Sequence, residues 1–131
     1  MKKPFLLLTL ISLFLWLAAC ATSGKKSNKY VIAVIPKGTT HSFWKSINAG
    51  ANKAASDAKA QGLDVELIWK GPLREDDREQ QIQVVEGFIS QGVSGIVLAP
   101  LDNKALVRPV EEAKRAGIPT VIRTHLPTRR A

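Results

Sequence analysis

A run of six apolar residues, Tyr30 to Ile35, restricts this 131-residue chain to few architectures. The run is rich in β-branched residues and far shorter than the roughly 20 residues of a membrane-spanning helix, so it predicts a β-strand. Because its apolar residues do not alternate with polar ones, we expect both faces of the strand to be covered, as in parallel sheets. Pro36 ends the strand because it lacks an N–H, and segment 37–40 has the composition of a loop. The sequence therefore predicts a buried strand that leads into a loop, the place where open α/β sheets bind ligands.

Strands and helices alternate along the chain after this strand. The apolar spacing and the helix-stop residues predict three more strands and three helices. The strands lie within 64–69, 93–99 and 120–122, and the helices open near His41, Asp76 with Asp77, and Asp102. The order β-α-β-α-β-α-β, with strands about 30 residues apart, indicates repeated right-handed crossovers in an α/β fold. The weaker apolar pattern of 64–69 places that strand near a sheet edge.

Three residues in the helices carry separate expectations. Gly50 weakens its helix, which predicts that the helix closely approaches the sheet at that point. Pro109 lies inside the third helix and is expected to bend it. Asp102 has the position and chemistry of a helix cap, although its place at the carboxyl end of a strand also allows a ligand-binding role.

The net charge of +8 does not come from the folded part of the chain. Residues 30–122 contain eleven Lys or Arg and eleven Asp or Glu, so the excess positive charge lies in the two terminal segments. A neutral body offers no basic surface that could follow a phosphate backbone. We therefore expect no nucleic-acid partner.

The amino-terminal segment has the features of an export signal. Residues 1–19 combine Lys2 and Lys3 with an apolar stretch and a small-residue cleavage site. The alternative, a transmembrane anchor, is disfavoured because residues 5–19 are fewer than the roughly 20 that a span needs. Leu-Ala-Ala-Cys resembles the bacterial lipoprotein box, which implies a lipid on Cys20, the only cysteine. Ala21 in place of Asp resembles the Gram-negative sorting pattern that favours the outer membrane over the inner one, and the choice between the two membranes stays open. Residues 20–29 are then the lipidated cysteine and a flexible tether.

Motifs of catalysis and cofactor binding are missing from the sequence. Neither a P-loop nor Gly-x-Gly-x-x-Gly follows the first strand, so we expect no nucleotide cofactor. His41 and His125 are the only histidines and stand in no metal-binding pattern, so we expect no metal. There is no Gly-x-Ser-x-Gly elbow, and the pair Asp76 and Asp77 is explained by a helix start. The sequence therefore predicts a protein that is not an enzyme.

Four residues at the carboxyl ends of strands are candidates for a ligand site: His41, Phe43, Trp44 and Asp102. Two adjacent aromatic residues cannot share one helix face, so either both are core residues or one of them lines a cleft. Phe43 continues the apolar stripe of the first helix, which assigns it to the core on pattern alone. Trp44 and His41 are then the cleft residues.

The region from Tyr30 to Ile122 resembles the amino-terminal lobe of periplasmic sugar-binding proteins of the ribose-binding type. The similar segments are Val-Ile-Ala-Val-Ile, the Phe-Trp pair, Gly-Val-Ser-Gly-Ile-Val-Leu-Ala-Pro-Leu-Asp and Ala-Gly-Ile-Pro-Thr-Val-Ile. The resemblance implies a partial flavodoxin-like sheet of order 2-1-3-4 with helices on both faces. It also implies a lipid-anchored solute receptor that passes a sugar to an ABC permease of the inner membrane.

The resemblance also implies roles for the four candidate residues. Phe43 and Trp44 take the places of aromatic residues that pack on a sugar ring, and His41 stands where the family has an amide. Asp102 matches an acid that accepts hydrogen bonds from sugar hydroxyls and also caps a helix. Ligand-binding domains of the lac-repressor type and some sensor domains share this lobe, so a regulatory module is the alternative function. A repressor would begin with a helix-turn-helix, whereas this chain begins with an export signal.

Two departures from the family pattern concern the carboxyl-terminal end. Arg123 and Thr124 stand where the family commonly has an Asp, and residues 123–131 form a basic tail that does not match. The family closes two lobes over its ligand, whereas the resemblance here covers only the first. We therefore expect a truncated, non-functional receptor with an out-of-frame tail, an exposed edge strand, a tendency to aggregate and very weak affinity.

Overall fold

Four strands and three helices alternate in the computed structural model, which describes residues 29–123. The predictions of a signal segment, a lipid on Cys20, a tether and a tail concern residues that lie almost wholly outside this range. In chain order the elements are Tyr30–Ile35 (β1), Ser42–Ala60 (α1), Val65–Trp69 (β2), Arg78–Gln91 (α2), Gly95–Leu98 (β3), Val107–Arg115 (α3) and Thr120–Ile122 (β4).

The strands form one parallel sheet in the order β2-β1-β3-β4, as predicted. Ile35 pairs with Leu98, and Val34 pairs with Trp69, so the strands end at a common side. We call this side, with the loops 36–41, 70–77 and 99–106, the carboxyl edge. The chain moves one way from β1 to β2 and the other way from β2 to β3 and β4, so right-handed crossovers place α1 on the face opposite α2 and α3.

The hydrophobic core lies between β1, β3 and the helices α2 and α3. The last three residues of β1 are buried, which agrees with the prediction of a covered strand. Helix α2 contributes its buried apolar side chains to the same cluster, and α3 packs against α2 and β4. The buried residues of this cluster are Ala33, Ile35, Val84, Val85, Phe88, Val93, Ile96, Leu98, Leu106, Ala113 and Ile118.

The opposite face of the sheet is covered less completely. Helix α1 packs on β2 but has no buried residue. The apolar stripe of α1 contains half-buried alanines such as Ala51 and Ala55. Phe43 and Ile47, which the apolar spacing assigned to the core, are exposed. An ideal Cβ on Gly50 would have no atom within 4 Å, so the expected close approach to the sheet at Gly50 is wrong.

Two expectations for α3 are also corrected. Pro109 is the third residue of the helix, where a backbone N–H would have no partner within the helix, so it stands at the helix start. The helix begins at Val107, five residues after Asp102, and its own N-cap residue, Leu106, makes no side-chain cap. The Asp102 side chain caps the turn before the helix instead.

The two outer strands of the sheet differ in length and chemistry. Strand β2 has five residues, all half-buried, and Glu66 on it pairs with Lys29 at 2.6 Å. Strand β4 has three residues, and its Val121 and Ile122 are 62% and 41% exposed. Among residues 29–123 no further strand lies beside either of them. No helix in this range has the length and apolar character needed to cross a bilayer.

Candidate functional site

The carboxyl edge contains the point where the direction of the chain along the sheet reverses. The crossovers from β1 and β3 leave in opposite directions, so the loops that follow these two neighbouring strands diverge. In open α/β sheets the crevice outside such a point is the usual ligand site. His41, Phe43 and Trp44 follow β1, and Asp102 follows β3, so all four predicted residues lie at this position.

The loop after β1 is bound to the loop after β2. The hydroxyl of Thr39 donates to the carbonyl oxygen of Pro72 at 3.3 Å, and that of Thr40 donates to the carbonyl oxygen of Leu73 at 3.2 Å. These bonds fix side chains of one loop on the backbone of the other. The loops after β1 and β2 are therefore held together at the carboxyl edge.

Phe43 and Trp44 form an aromatic pair at the start of α1. Their ring centroids are 5.1 Å apart and their planes meet at 76°, an edge-to-face arrangement. The indole Nε1 of Trp44 donates to Glu75 Oε1 at 2.8 Å, which holds the tryptophan against the loop after β2. Phe43 is 54% exposed, so its assignment to the core is wrong, and the more deeply placed residue is Trp44, which is half-buried. The first turn of α1 lies beyond the last residue of β1, where no strand covers Phe43.

His41 is the N-cap of α1. Its backbone is extended, with φ −70° and ψ 142°, and its Nδ1 accepts a hydrogen bond from the Phe43 N–H at 3.2 Å. An imidazole that accepts through Nδ1 can donate through Nε2. His41 therefore fixes the helix start, and its exposed ring has Nε2 as a second polar atom.

The Asp102 carboxylate is held at three points. Oδ1 accepts from the backbone N–H groups of Lys104 at 2.8 Å and Ala105 at 2.9 Å, and Oδ2 pairs with Arg78 Nη1 at 3.2 Å. The backbone N–H groups of Ala105 and Lys104, and then Arg78, hold the pKa of Asp102 below its ordinary value. Asp102 is therefore ionised at neutral pH and can only accept hydrogen bonds.

The depressed pKa of Asp102 leads to a pH-dependent prediction. The stability that its charge provides is present above the pKa of the unfolded chain, about 3.9, and is lost as pH falls through the folded pKa. Asp102→Asn should therefore lower the urea midpoint at pH 7, and the difference from wild type should shrink below about pH 4. Asp57→Asn is the control, because Asp57 forms only an exposed ion pair with Lys53. An Asp102→Asn difference that is constant from pH 3 to pH 7 would contradict the prediction.

Four more residues at the edge were not singled out in the sequence. Glu75 holds Trp44, Arg78 holds Asp102, Gln81 is fully buried beneath the loops, and Lys37 is half-buried directly after Pro36. No hydrogen bond or ion pair of the Lys37 ammonium group is present within residues 29–123. Arg78 could have been noticed because a cation in the first turn of a helix opposes the helix dipole. Gln81 precedes the apolar stripe of α2 by one helical turn, which marks a buried polar group that needs partners.

The aromatic pair and Asp102 are held by different partners, Glu75 for Trp44 and Arg78 for Asp102. Within the described range they share no hydrogen bond, ion pair or ring contact, although they occupy loops of adjacent strands. No group of three or more His, Cys, Asp or Glu side chains in residues 29–123 could hold a metal ion. The edge therefore combines apolar rings, an anionic acceptor and N–H donors on two separate loops.

The sequence profile of the periplasmic binding protein domain matches residues 32–127. The chain belongs to the periplasmic binding protein family. A D-ribose/D-allose-binding protein from Pseudomonas aeruginosa is 38% identical over 114 residues, which are 87% of this chain and 34% of that protein. The ribose import binding protein RbsB of Bacillus subtilis is 30% identical over 131 residues, covering 92% of this chain and 40% of RbsB.

Solved structures of periplasmic binding proteins share the fold. A carbohydrate transporter solute-binding protein from Agrobacterium radiobacter, in complex with D-arabinose, superposes with a TM-score of 0.66 at 32% identity, covering 72% of this chain and 30% of that one. An ABC transporter solute-binding protein from Actinobacillus succinogenes, with bound D-allose, gives 0.64 at 30% identity, covering 70% and 30%. The fold and the family resemblance are thus confirmed, and the chain spans about a third of the length of these relatives.

Proposed function

We propose that this chain supplies ligand-binding elements of a periplasmic solute receptor for an ABC-type sugar importer. The observation that carries the proposal is the aromatic pair, exposed Phe43 and half-buried Trp44, at the point where the chain direction reverses. Phe43 is 54% exposed and stands edge-to-face against Trp44 at the carboxyl edge, so its ring is available to pack on a ligand or on a second lobe.

The chemistry of the edge suits a monosaccharide. A sugar ring has apolar C–H faces that pack on aromatic rings, which Phe43 and Trp44 provide. Its hydroxyl groups both donate and accept hydrogen bonds. Asp102 Oδ2 would accept from a hydroxyl, whereas His41 Nε2 and Arg78 would donate to one. Hydrogen bonds to charged groups are worth more than neutral ones, so the Asp102–Arg78 pair would set the orientation of the ring.

Relatives support the ligand class and the partner. Two curated relatives are named for binding ribose or allose, and two structural neighbours hold D-allose or D-arabinose. These are binding proteins by name, which favours binding over catalysis at this edge. We propose a monosaccharide as the ligand and an ABC permease of the inner membrane as the partner.

The proposal is tested by titrating the full chain with D-ribose, D-allose and D-arabinose, followed by NMR. We expect a dissociation constant on the order of 1 mM, because one lobe leaves much of a sugar in water. Resonances of His41, Phe43 and Trp44 should shift, and Trp44→Ala should weaken binding about tenfold, the loss expected for one aromatic contact. Lys45→Ala, on the same helix turn, is the control. The carbohydrate proposal fails if no sugar shifts these resonances and an amino acid does.

The cell-envelope location is a separate part of the proposal. Residues 1–19 would direct export, and Cys20 would carry the lipid that anchors the tether 20–29 to a membrane. Mass analysis of the amino terminus after membrane fractionation tests it. A cytoplasmic chain that retains Met1 and an unmodified Cys20 would overturn the lipoprotein assignment and favour the regulatory alternative.

A further inference from the structure

Gln81 is the polar side chain with full burial in the described part of the chain, at 0% exposure. Its Nε2 donates to the carbonyl oxygens of Pro36 at 3.0 Å and Ala99 at 2.9 Å. Its Oε1 accepts from the backbone N–H of Leu101 at 2.8 Å. Both N–H donors and the carbonyl acceptor of this amide are therefore used, which fixes its orientation.

The partners of Gln81 are the first loop residues after β1 and β3. The last backbone hydrogen bond between these strands joins Ala99 N to Ile35 O at 2.9 Å. Beyond it, all hydrogen bonds that link loop 36–41 with loop 99–106 in the described range pass through Gln81. One loop leads to His41, Phe43 and Trp44, and the other carries Asp102.

Neighbouring residues of the same helix turn each attach α2 to a single loop, and they do so at the surface. Arg78 pairs with Asp102 at 3.2 Å, and Gln80 Oε1 accepts from the backbone N–H of Leu73 at 2.8 Å. Both bonds are exposed, and exposed polar contacts contribute little. The buried contact through Gln81 is the strong one, because a buried carbonyl left without a donor costs the full desolvation of that group.

We infer that Gln81 is a positioning residue that sets the spacing of the two loops, so that the aromatic pair and Asp102 can engage one ligand together. Gln81 itself lies below the loops and touches no ligand. The inference depends on the proposed sugar site for its consequence in binding. The coupling of the two loops is a property of the chain alone and can be measured without a ligand.

Two substitutions of Gln81 separate its hydrogen bonds from its volume. Gln81→Met keeps the length of the side chain and removes all three bonds. Gln81→Glu keeps the acceptor for Leu101 but, when ionised, places a carboxylate against two carbonyl oxygens. Its protonated form regains one donor, so Gln81→Glu should be the milder variant at low pH. Asp102, whose pKa is lowered by the N–H groups of Ala105 and Lys104 and by Arg78, keeps its charge between pH 5 and pH 8.

Matched controls lie on the same helix. Val85→Ala removes core volume at a residue 1% exposed that takes no part in the hydrogen bonds of Gln81, so it lowers stability and leaves those bonds in place. Gln83→Met changes an exposed glutamine and should alter nothing. A purely structural role for Gln81 would make its variants behave like Val85→Ala.

The experiment uses the ¹⁵N-labelled full chain. In Gln81→Met, exchange of the Leu101 amide should accelerate about tenfold relative to the β3 amides, and the Trp44 indole N–H resonance should shift. In Gln81→Glu both effects should be smaller at pH 5 than at pH 8. Val85→Ala should lower the melting temperature without either effect. With D-allose as the probe, affinity should fall about tenfold in Gln81→Met and stay unchanged in Val85→Ala.

Each outcome supports or overturns the positioning role of Gln81. If Gln81→Met and Val85→Ala change the Leu101 and Trp44 signals alike, or if neither changes them, the positioning role is overturned. If Gln81→Met does not fold, Gln81→Glu decides in its place, and Leu101 and Trp44 signals equal to those of wild type overturn the inference. If wild type does not bind D-allose, the sugar proposal loses support, while the exchange data still decide the coupling.

Discussion

Phe88→Ala is expected to lower the free energy of unfolding by about 3–5 kcal/mol, the usual loss for a fully buried phenylalanine. Phe88 is 2% exposed and belongs to the cluster formed by β1, β3 and α2. Domains of this size are stable by about 5–15 kcal/mol, so the variant should be close to unfolding at room temperature. Urea titration followed by far-UV circular dichroism measures the change. A loss below about 1 kcal/mol would show that the cluster is not packed as described.

Phe43→Ala is the matched control, since the same atoms are removed from a residue 54% exposed. We expect it to change the free energy of unfolding by less than about 1 kcal/mol, because little buried area is lost. It should instead weaken sugar binding in the NMR titration. The two phenylalanines thus separate stability from binding. Equal destabilisation by both substitutions would mean that Phe43 is covered in solution and is not available to a ligand.

Gly71→Ala is expected to lower the free energy of unfolding by about 2–3 kcal/mol through a steric clash. A Cβ on Gly71 would lie 2.8 Å from Pro36 Cδ, 2.9 Å from its Cγ and 2.9 Å from its carbonyl oxygen. Neither the rigid ring nor the carbonyl, which accepts from Gln81, can move away easily. The loops after β1 and β2 would therefore be forced apart. A melting temperature equal to that of wild type would show that these loops are loosely held.

Gly50→Ala is the control with the opposite sign. Gly50 is in the middle of α1 and has nothing within 4 Å of an ideal Cβ. Alanine should stabilise the helix by about 0.5–1 kcal/mol, because glycine loses more backbone freedom on folding. Thermal unfolding of both variants side by side tests whether the two glycines differ as described. A destabilising Gly50→Ala would restore the close approach to the sheet that the sequence predicted.

The sequence predicted the elements well because each is marked locally. The apolar run of β1 and the turn residues at Gly92, which has a left-handed backbone, are properties of a few neighbouring residues. Asp77 caps α2 where the sequence placed a helix start. The order of the strands could not be read from such local signals. It came from the family resemblance, since alternation alone does not say which strands pair.

The errors arose where tertiary contacts decide. Helical spacing identifies the apolar face that includes Phe43 and Ile47, but it cannot tell whether another element covers that face. Phe43 lies in the first turn of α1, after β1 has ended. Helix α1 has no buried residue, and its most covered alanines are only half-buried. Likewise, Asp102 was correctly read as a capping residue, but the turn that it caps precedes α3.

Gln81 shows what kind of residue a pattern search misses. Its partners, Pro36 and Ala99, are 45 and 18 residues away in sequence. Nothing near Gln81 in the chain indicates that these two carbonyl groups converge on it. A glutamine beside an apolar stripe indicates only that a buried polar group needs partners. The partners become known once the parallel pairing of β1 and β3 is known.

The chemistry of the two outer strands indicates beside which of them a further strand would pair. On β2, Glu66 is a charged residue of the kind that discourages pairing at edge strands, and its partner Lys29 precedes the neighbouring strand β1. At β4, exposed Val121 and Ile122 present an uncharged, apolar margin. A strand that lengthens this sheet, whether from the same polypeptide or from another molecule, will therefore add beside β4. A charged residue thus hinders pairing at the β2 edge, and none does so within β4.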